Sequence, residues 1–245
     1  VIIKQLGTNG GGFFGPNSTH PLENVGFYSN IIECISLVII PMGCVWMFGV
    51  ITKHRKHALV IFAVMTVLCL VKLGCAITFE SEPAVALHDL PVAEASNLEG
   101  KELRLGAGAS PLWAVFTTCT SNGSVNSMHC SLNPLTGLIP LAGMWFNITF
   151  GGIGVGFLGL FTYIIIGVFI CGMMVGRTPE YLGKKVETRE MKYALPALLM
   201  HPLCILGGMA IFCLIPAWGR DTVLNPGFHG FTEMLYEFTS SSANN

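Results

Sequence analysis

Four long apolar runs limit what this chain can fold into. They cover about residues 31–51 (IIECISLVIIPMGCVWMFGVI), 58–79, 151–176 and 193–216, each around 20 residues or more. Twenty apolar residues in a helix match the thickness of a bilayer's hydrocarbon core. A bilayer leaves no solvent for unpaired backbone groups, so each run is expected to be a transmembrane helix. Pro41 is expected to kink the first. Only 11% of the residues are charged, against about 25% in ordinary soluble domains. The expected class is an all-α polytopic membrane protein in contact with the lipid bilayer. A net charge of -1 gives no reason to expect a nucleic-acid partner.

Charge orients the spans. Lys53, Arg55 and Lys56 share one short connection, and Arg177, Lys184, Lys185, Arg189 and Lys192 share another. The positive-inside rule makes both cytoplasmic. The acidic segment 80–110, with Glu80, Glu82, Asp89, Glu94, Glu99 and Glu102, is then outside. Nine cysteines occur without any CxxC and mostly within apolar runs, which reads as small buried hydrophobes rather than a metal or disulfide framework. The chain opens on Val1 and closes on the polar SSANN, so we expect an internal piece of a longer protein.

Two apolar pieces are too short to cross, PLWAVFTTC (111–119) and GFTEMLYEFTSS (230–241). Both begin and end outside, so each is expected to be a re-entrant helix with a polar return facing water or protein. The first return reads Ser121-Asn122-Gly123, and near the start of the chain stands Thr8-Asn9-Gly10, 113 positions earlier. Asn126-Ser127-Met128-His129 and Asn17-Ser18-Thr19-His20 follow, 109 apart, so the first copy carries four extra residues. Spacings of this kind are the mark of an internal repeat. The run from Gly10 to Gly15 also satisfies GxGxxG, but Pro16 and Pro21 follow where a dinucleotide fold needs a helix. Glycines at the return of a re-entrant helix tolerate alternating backbone conformations that turn successive carbonyls toward an axis, where they replace water around a monovalent cation.

GTNGGGFFGPNSTHPLEN, SNGSVNSMH, NLEGKELRLG (97–106), GRTPEYLGKKVETREMK (176–192) and NPGFHGFTEMLYEFTSSSANN closely resemble the KdpA family, potassium-binding subunits of potassium-transporting P-type ATPase complexes. The resemblance implies repeated units of the potassium-channel-like superfamily, each a helix, a re-entrant pore helix with filter loop, and a second helix. Residues 1–52 would hold the second filter loop and its following helix. Residues 53–176 would be the third repeat, with helix 58–79, outer loop 80–110, pore helix 111–119, filter 120–124 and helix 151–176. Residues 193–245 would start the fourth, with helix 193–216, pore helix 230–239 and a truncated filter. The implied K+ positions are Thr8, Asn9, Gly10 and Gly11, then Ser121, Asn122, Gly123 and Ser124, with Ala243, Asn244 and Asn245 opening the last copy. The transported ion would be K+, with no organic cofactor. The partners would be an ATP-hydrolysing P-type subunit and small accessory subunits, in a bacterial-type inner (plasma) membrane. No catalytic site is expected in this chain, which has neither GxxxxGK(S/T) nor Asp-Lys-Thr-Gly. The alternative is a stand-alone, gradient-driven transporter of the same superfamily. Two positions depart from the family pattern, Cys130 and Asn147, where an acid is common.

Eight glycines between 151 and 176 allow either close helix packing or a break, and the resemblance favours the break. Thr178-Pro179-Glu180 reads as a helix start, giving a cytoplasmic amphipathic segment over 177–192. Lys72 lies within a span, facing protein or water or snorkelling outward. His20 and His129 are expected to bond the returning backbone.

Overall fold

The computed structural model describes residues 1–83, 97–215, 217, 219 and 221–245. Part of the acidic outer segment, including Asp89 and Glu94, and Pro216 at the end of the fourth apolar run lie outside the described residues. The described chain is helical apart from loops and one small hairpin. Its elements are α1 (Ile2–Leu6), α2 (Phe27–Ile51), α3 (Arg55–Glu80), α4 (Ala109–Thr120), α5 (Pro134–Phe146), α6 (Val155–Val175), β1 (Glu180–Tyr181), β2 (Lys184–Lys185), α7 (Thr188–Leu214) and α8 (Gly227–Ala243).

Four helices are long and apolar enough to cross a membrane: α2, α3, α6 and α7. At 1.5 Å rise per residue, the 25 residues of α2 extend about 37 Å, which exceeds the hydrocarbon thickness. Three of the spans, α2, α3 and α7, start earlier than their apolar runs. In α7 the Glu190 carboxylate accepts the Glu187 backbone N–H at 2.8 Å and fixes the first turn. Helix α2 continues through Pro41, which is buried. Outward-facing apolar residues such as Ile39, Met47, Val60 and Val67 are exposed, as a lipid-facing surface requires.

The chain forms two compact units, Val1–Phe157 with Asn244–Asn245, and Leu158–Ala243. In the first, α4 is the core element: apart from Leu112 and Phe116 every one of its residues is buried. Trp113 is fully buried against Cys34, Leu37 and Val38 of α2. A helix therefore stands where 111–119 is expected to be helical, and it is slightly longer. The outer segment is stitched to this unit by charge. Lys101 pairs with Glu80 at 2.7 Å with both side chains inaccessible. Asn97 donates to the Glu80 carbonyl and carboxylate at 2.9 Å each, and the Asn133 N–H donates to the other carboxylate oxygen at 3.1 Å. Arg104 donates to the Thr19 and Asn24 carbonyls. These bonds give NLEGKELRLG a structural task, since a buried charge is tolerable only when fully partnered.

Three expectations need correction. The segment 177–192 is not an amphipathic helix. It is a two-stranded antiparallel hairpin, Glu180 opposite Lys185 and Tyr181 opposite Lys184, followed by the start of α7. Leu182 and Gly183 both have positive φ, 51° and 76°, which is the mirror-image turn that suits a hairpin. The run Pro134–Phe146 is a helix that the span reading did not separate, and the helix expected over 151–176 begins only at Val155. Among the nine cysteines, all free, Cys171, Cys204 and Cys213 are exposed rather than buried.

In the second unit α7 packs on α8. Gly208 lets the Phe238 ring approach so closely that a Cβ there would stand 2.6 Å from it. Phe212 meets the same ring edge-on at 4.9 Å. The helix at the expected 230–239 is longer at both ends, spanning Gly227–Ala243.

Candidate ion-binding site

Helices α1, α4 and α8 end in related ways. Past α1, Thr8 takes φ 50°; past α4, Ser121 takes φ 54°; past α8, Asn244 takes φ 58°. A left-handed residue is a common way for a helix to stop, and here it is not glycine. An asparagine follows in each case, Asn9, Asn122 and Asn245, and then in the first two Gly10 (φ 70°) and Gly123 (φ 84°). The φ signs therefore alternate through Thr8-Asn9-Gly10 and through Ser121-Asn122-Gly123, since neither Asn9 nor Asn122 is among the positive-φ residues.

The three returns touch in order. A Cβ built on Gly10 would lie 1.9 Å from the Asn122 carbonyl oxygen, and one on Gly123 would lie 3.0 Å from the Asn245 carbonyl carbon. The asparagine side chains tie each loop to the one before it. Asn122 Nδ2 donates to the Lys4 carbonyl at 2.7 Å, and Asn245 Oδ1 accepts the Gly123 N–H at 3.1 Å. Asn9 Nδ2 instead donates to Ile3 O at 3.1 Å.

Beyond the glycines the two complete copies run side by side. Ser18 N–H donates to Val125 O at 2.8 Å and Val125 N–H to Pro16 O at 2.9 Å, a parallel bridge. The four extra residues of the first copy are accounted for by Gly12–Gly15, which bond each other in both directions at 3.2 and 2.9 Å and fold out as a tight hairpin. Phe13 at its tip is 95% exposed.

A family model described as the potassium-transporting ATPase A subunit, KdpA, matches residues 1–245. The chain belongs to the KdpA family. Among its relatives are proteins named potassium-transporting ATPase potassium-binding subunit. That of Parabacteroides distasonis is 50% identical over 253 residues, covering 100% of this chain and 44% of the relative. Those of Pseudomonas aeruginosa and Geobacillus kaustophilus are 47% and 49% identical, over 100% and 99% of this chain and 43% of each relative. The chain thus spans less than half the length of the curated relatives it matches.

Of the eleven positions read from the KdpA resemblance, Gly10, Asn122, Gly123 and Asn245 are brought into mutual contact. Thr8, Ser121 and Asn244 are the helix-ending residues beside them. Gly11 has no neighbour where its Cβ would be, and its N–H folds back on Asn9 O at 2.8 Å. The Ser124 carbonyl accepts the Trp113 indole N–H at 2.8 Å, so it is turned toward the core. Ala243 is still helical and buried. His20 accepts the Leu22 N–H through Nδ1, as expected.

Gln5 was missed by the sequence reading. It is fully buried behind the returns, where Nε2 donates to Ser18 Oγ and to Glu33 Oε2 at 2.9 Å each, and Oε1 accepts the Ser124 hydroxyl at 2.9 Å. One side chain thereby joins both copies to α2. A lone glutamine in VIIKQL gives no periodic signal; only its place just before GTNG marks it. Lys4, equally buried, donates to Asn17 O at 2.7 Å and is paired with Glu23 at 3.0 Å. With that charge neutralised, the field remaining at the returns is dipolar, from loop carbonyls and the carbonyl ends of helices. In the second tetrad, burial pushes His129 down to about 4, so it is neutral at pH 7 and adds no positive charge there.

Proposed function

We propose that this chain forms part of a potassium-binding and translocating subunit of an ATP-driven uptake system in a bacterial-type inner membrane. The loops at Thr8–Gly10, Ser121–Gly123 and Asn244–Asn245 are successive filter loops of repeated units, each supplying backbone carbonyls to a dehydrated K+. The observation that carries this reading is their contact in order, with φ signs alternating through each complete copy. Alternation directs neighbouring carbonyls to one side of the backbone, and only glycine fits where the loops touch. A single loop fills a fraction of a coordination shell, so further copies complete the ring. ATP hydrolysis belongs to a separate P-type subunit, and small accessory subunits complete the complex. The names of the relatives favour this over a gradient-driven transporter.

The test is ATP hydrolysis by the purified full-length protein with its partner subunits, titrated with K+ and with Na+, for wild type and Gly123→Ala. K+-specific stimulation that weakens or admits Na+ in the variant is the expected result. Equal stimulation by both ions in wild type, or an unchanged variant, would remove the filter role.

A further inference from the structure

Lys72 stands inside α3, eight residues before its end. Its side chain points into protein. Nζ donates to the Thr149 hydroxyl at 2.5 Å, and Thr149 is 1% exposed. A Cβ built on Gly143 of α5 would lie 3.6 Å from the same Nζ and 3.8 Å from Thr118 Oγ1 of α4. The Cys119 side chain, one residue before the end of α4, lies close enough to Lys72 to interact with it electrostatically.

These contacts place the ammonium where the third filter loop begins. Thr149 belongs to the irregular stretch between α5 and α6, in which Asn147, Phe150, Gly152 and Gly154 all have positive φ. That stretch docks on the last residue of α4, Gly152 N–H donating to Thr120 O at 2.6 Å, and Asn147 Oδ1 faces Ser121 Oγ at 3.5 Å. Among the described residues no ion pair includes Lys72. The nearby position 147 is an amide. An intramembrane charge with no carboxylate partner is expensive and is kept where it acts on something. The local feature that welcomes it is the negative, carbonyl end of α4, which would otherwise act on a cation in the loop that follows.

Resting on the reading of these loops as a potassium filter, we propose that Lys72 is a tethered cation that lowers the filter's hold on K+ at the side where α4 ends. Its ammonium takes up the field of the helix end and opposes the ion in Ser121–Gly123, so K+ is released past the α5–α6 break rather than retained.

The experiment measures the K+ concentration giving half-maximal ATP hydrolysis in the full-length complex for Lys72→Gln, Lys72→Met, Lys72→Arg and Thr149→Val. Removing a unit charge at this range lowers that concentration by roughly 5- to 20-fold, alike in the Gln and Met variants. Lys72→Arg and Thr149→Val, which keep the charge, stay near wild type. A purely structural clamp predicts a different pattern, with Lys72→Gln preserved and Lys72→Met and Thr149→Val impaired; that pattern, or no shift in any variant, overturns the proposal. If wild type itself shows no K+ dependence, the filter reading fails and this inference fails with it.

Discussion

The two complete returns, residues 8–20 and 121–129, share a backbone and differ in nearly everything that anchors it. Both stop a helix with a left-handed non-glycine residue, pass through asparagine and reverse φ at glycine. Afterwards they part. The first spends four residues on the Gly12–Gly15 hairpin, and Asn17 turns on itself, accepting the Thr19 N–H at 2.8 Å and its hydroxyl at 2.6 Å. In the second, Ser124 is pinned by Trp113, and Asn126 reaches across to Asn30 at 3.2 Å and Ala109 O at 3.0 Å. What repeats is the backbone path of the return. What varies is the scaffold behind it, which needs only to hold that geometry still.

The largest effect that can test this comes from the glycines themselves. Gly10→Ala would force a Cβ onto a neighbouring carbonyl oxygen at 1.9 Å, and Gly123→Ala would meet the Asn245 carbonyl carbon at 3.0 Å. Both also carry the left-handed penalty of about 1 kcal/mol. In the full-length complex Gly10→Ala should abolish K+-selective stimulation of ATP hydrolysis, while Gly123→Ala retains part of it. The opposite ranking would mean that the loops do not meet as described.

A smaller effect tests the shared scaffold. Gln5→Leu removes the acceptor of Ser124 Oγ and the donor to Ser18 and Glu33, all of them buried. Buried polar groups left unpaired cost about 1–3 kcal/mol each, so a loss of roughly 3 kcal/mol is expected. It should register as a lower unfolding temperature of the detergent-solubilised full-length protein. Since Gln5 joins both copies, K+ titration should broaden too. An unchanged unfolding temperature would show that the copies are held independently.

The fold was legible wherever burial in lipid dominates. Four apolar runs announced α2, α3, α6 and α7 because a span has no other way to satisfy its backbone. The paired TNG and SNG sequences announced the returns, and their unequal spacing announced an insertion that the hairpin explains. Helix α5 escaped because its run is short and carries Pro134 and Pro140, which read as interruptions although Pro134 merely opens the helix. The hairpin at 180–185 escaped because Thr-Pro-Glu imitates a helix start, a local preference overridden by the turn at Leu182 and Gly183. The networks around Gln5 and Glu80 depend on residues 13 to 119 positions apart, and no local pattern encodes such pairings.

The smallest effect separates the two tetrads through their histidines. His129 is pushed down to about 4 by burial, whereas an unfolded histidine titrates near 6.5. The unfolded chain therefore binds the proton more readily over that interval. Stability that is fully present above about pH 6.5 should be lost as the pH falls toward 4, by roughly 2 kcal/mol once the ring's partial exposure is allowed for. Unfolding of the solubilised full-length protein, followed from pH 7.5 to 4.5, should show this slope, and His129→Gln should flatten it. His20→Gln serves as the control from the other copy, where the imidazole stacks on Phe14 at 3.7 Å in the first return. If His20→Gln flattens the slope instead, the second tetrad is not the more tightly enclosed of the two, and the contrast between their scaffolds would have to be reversed.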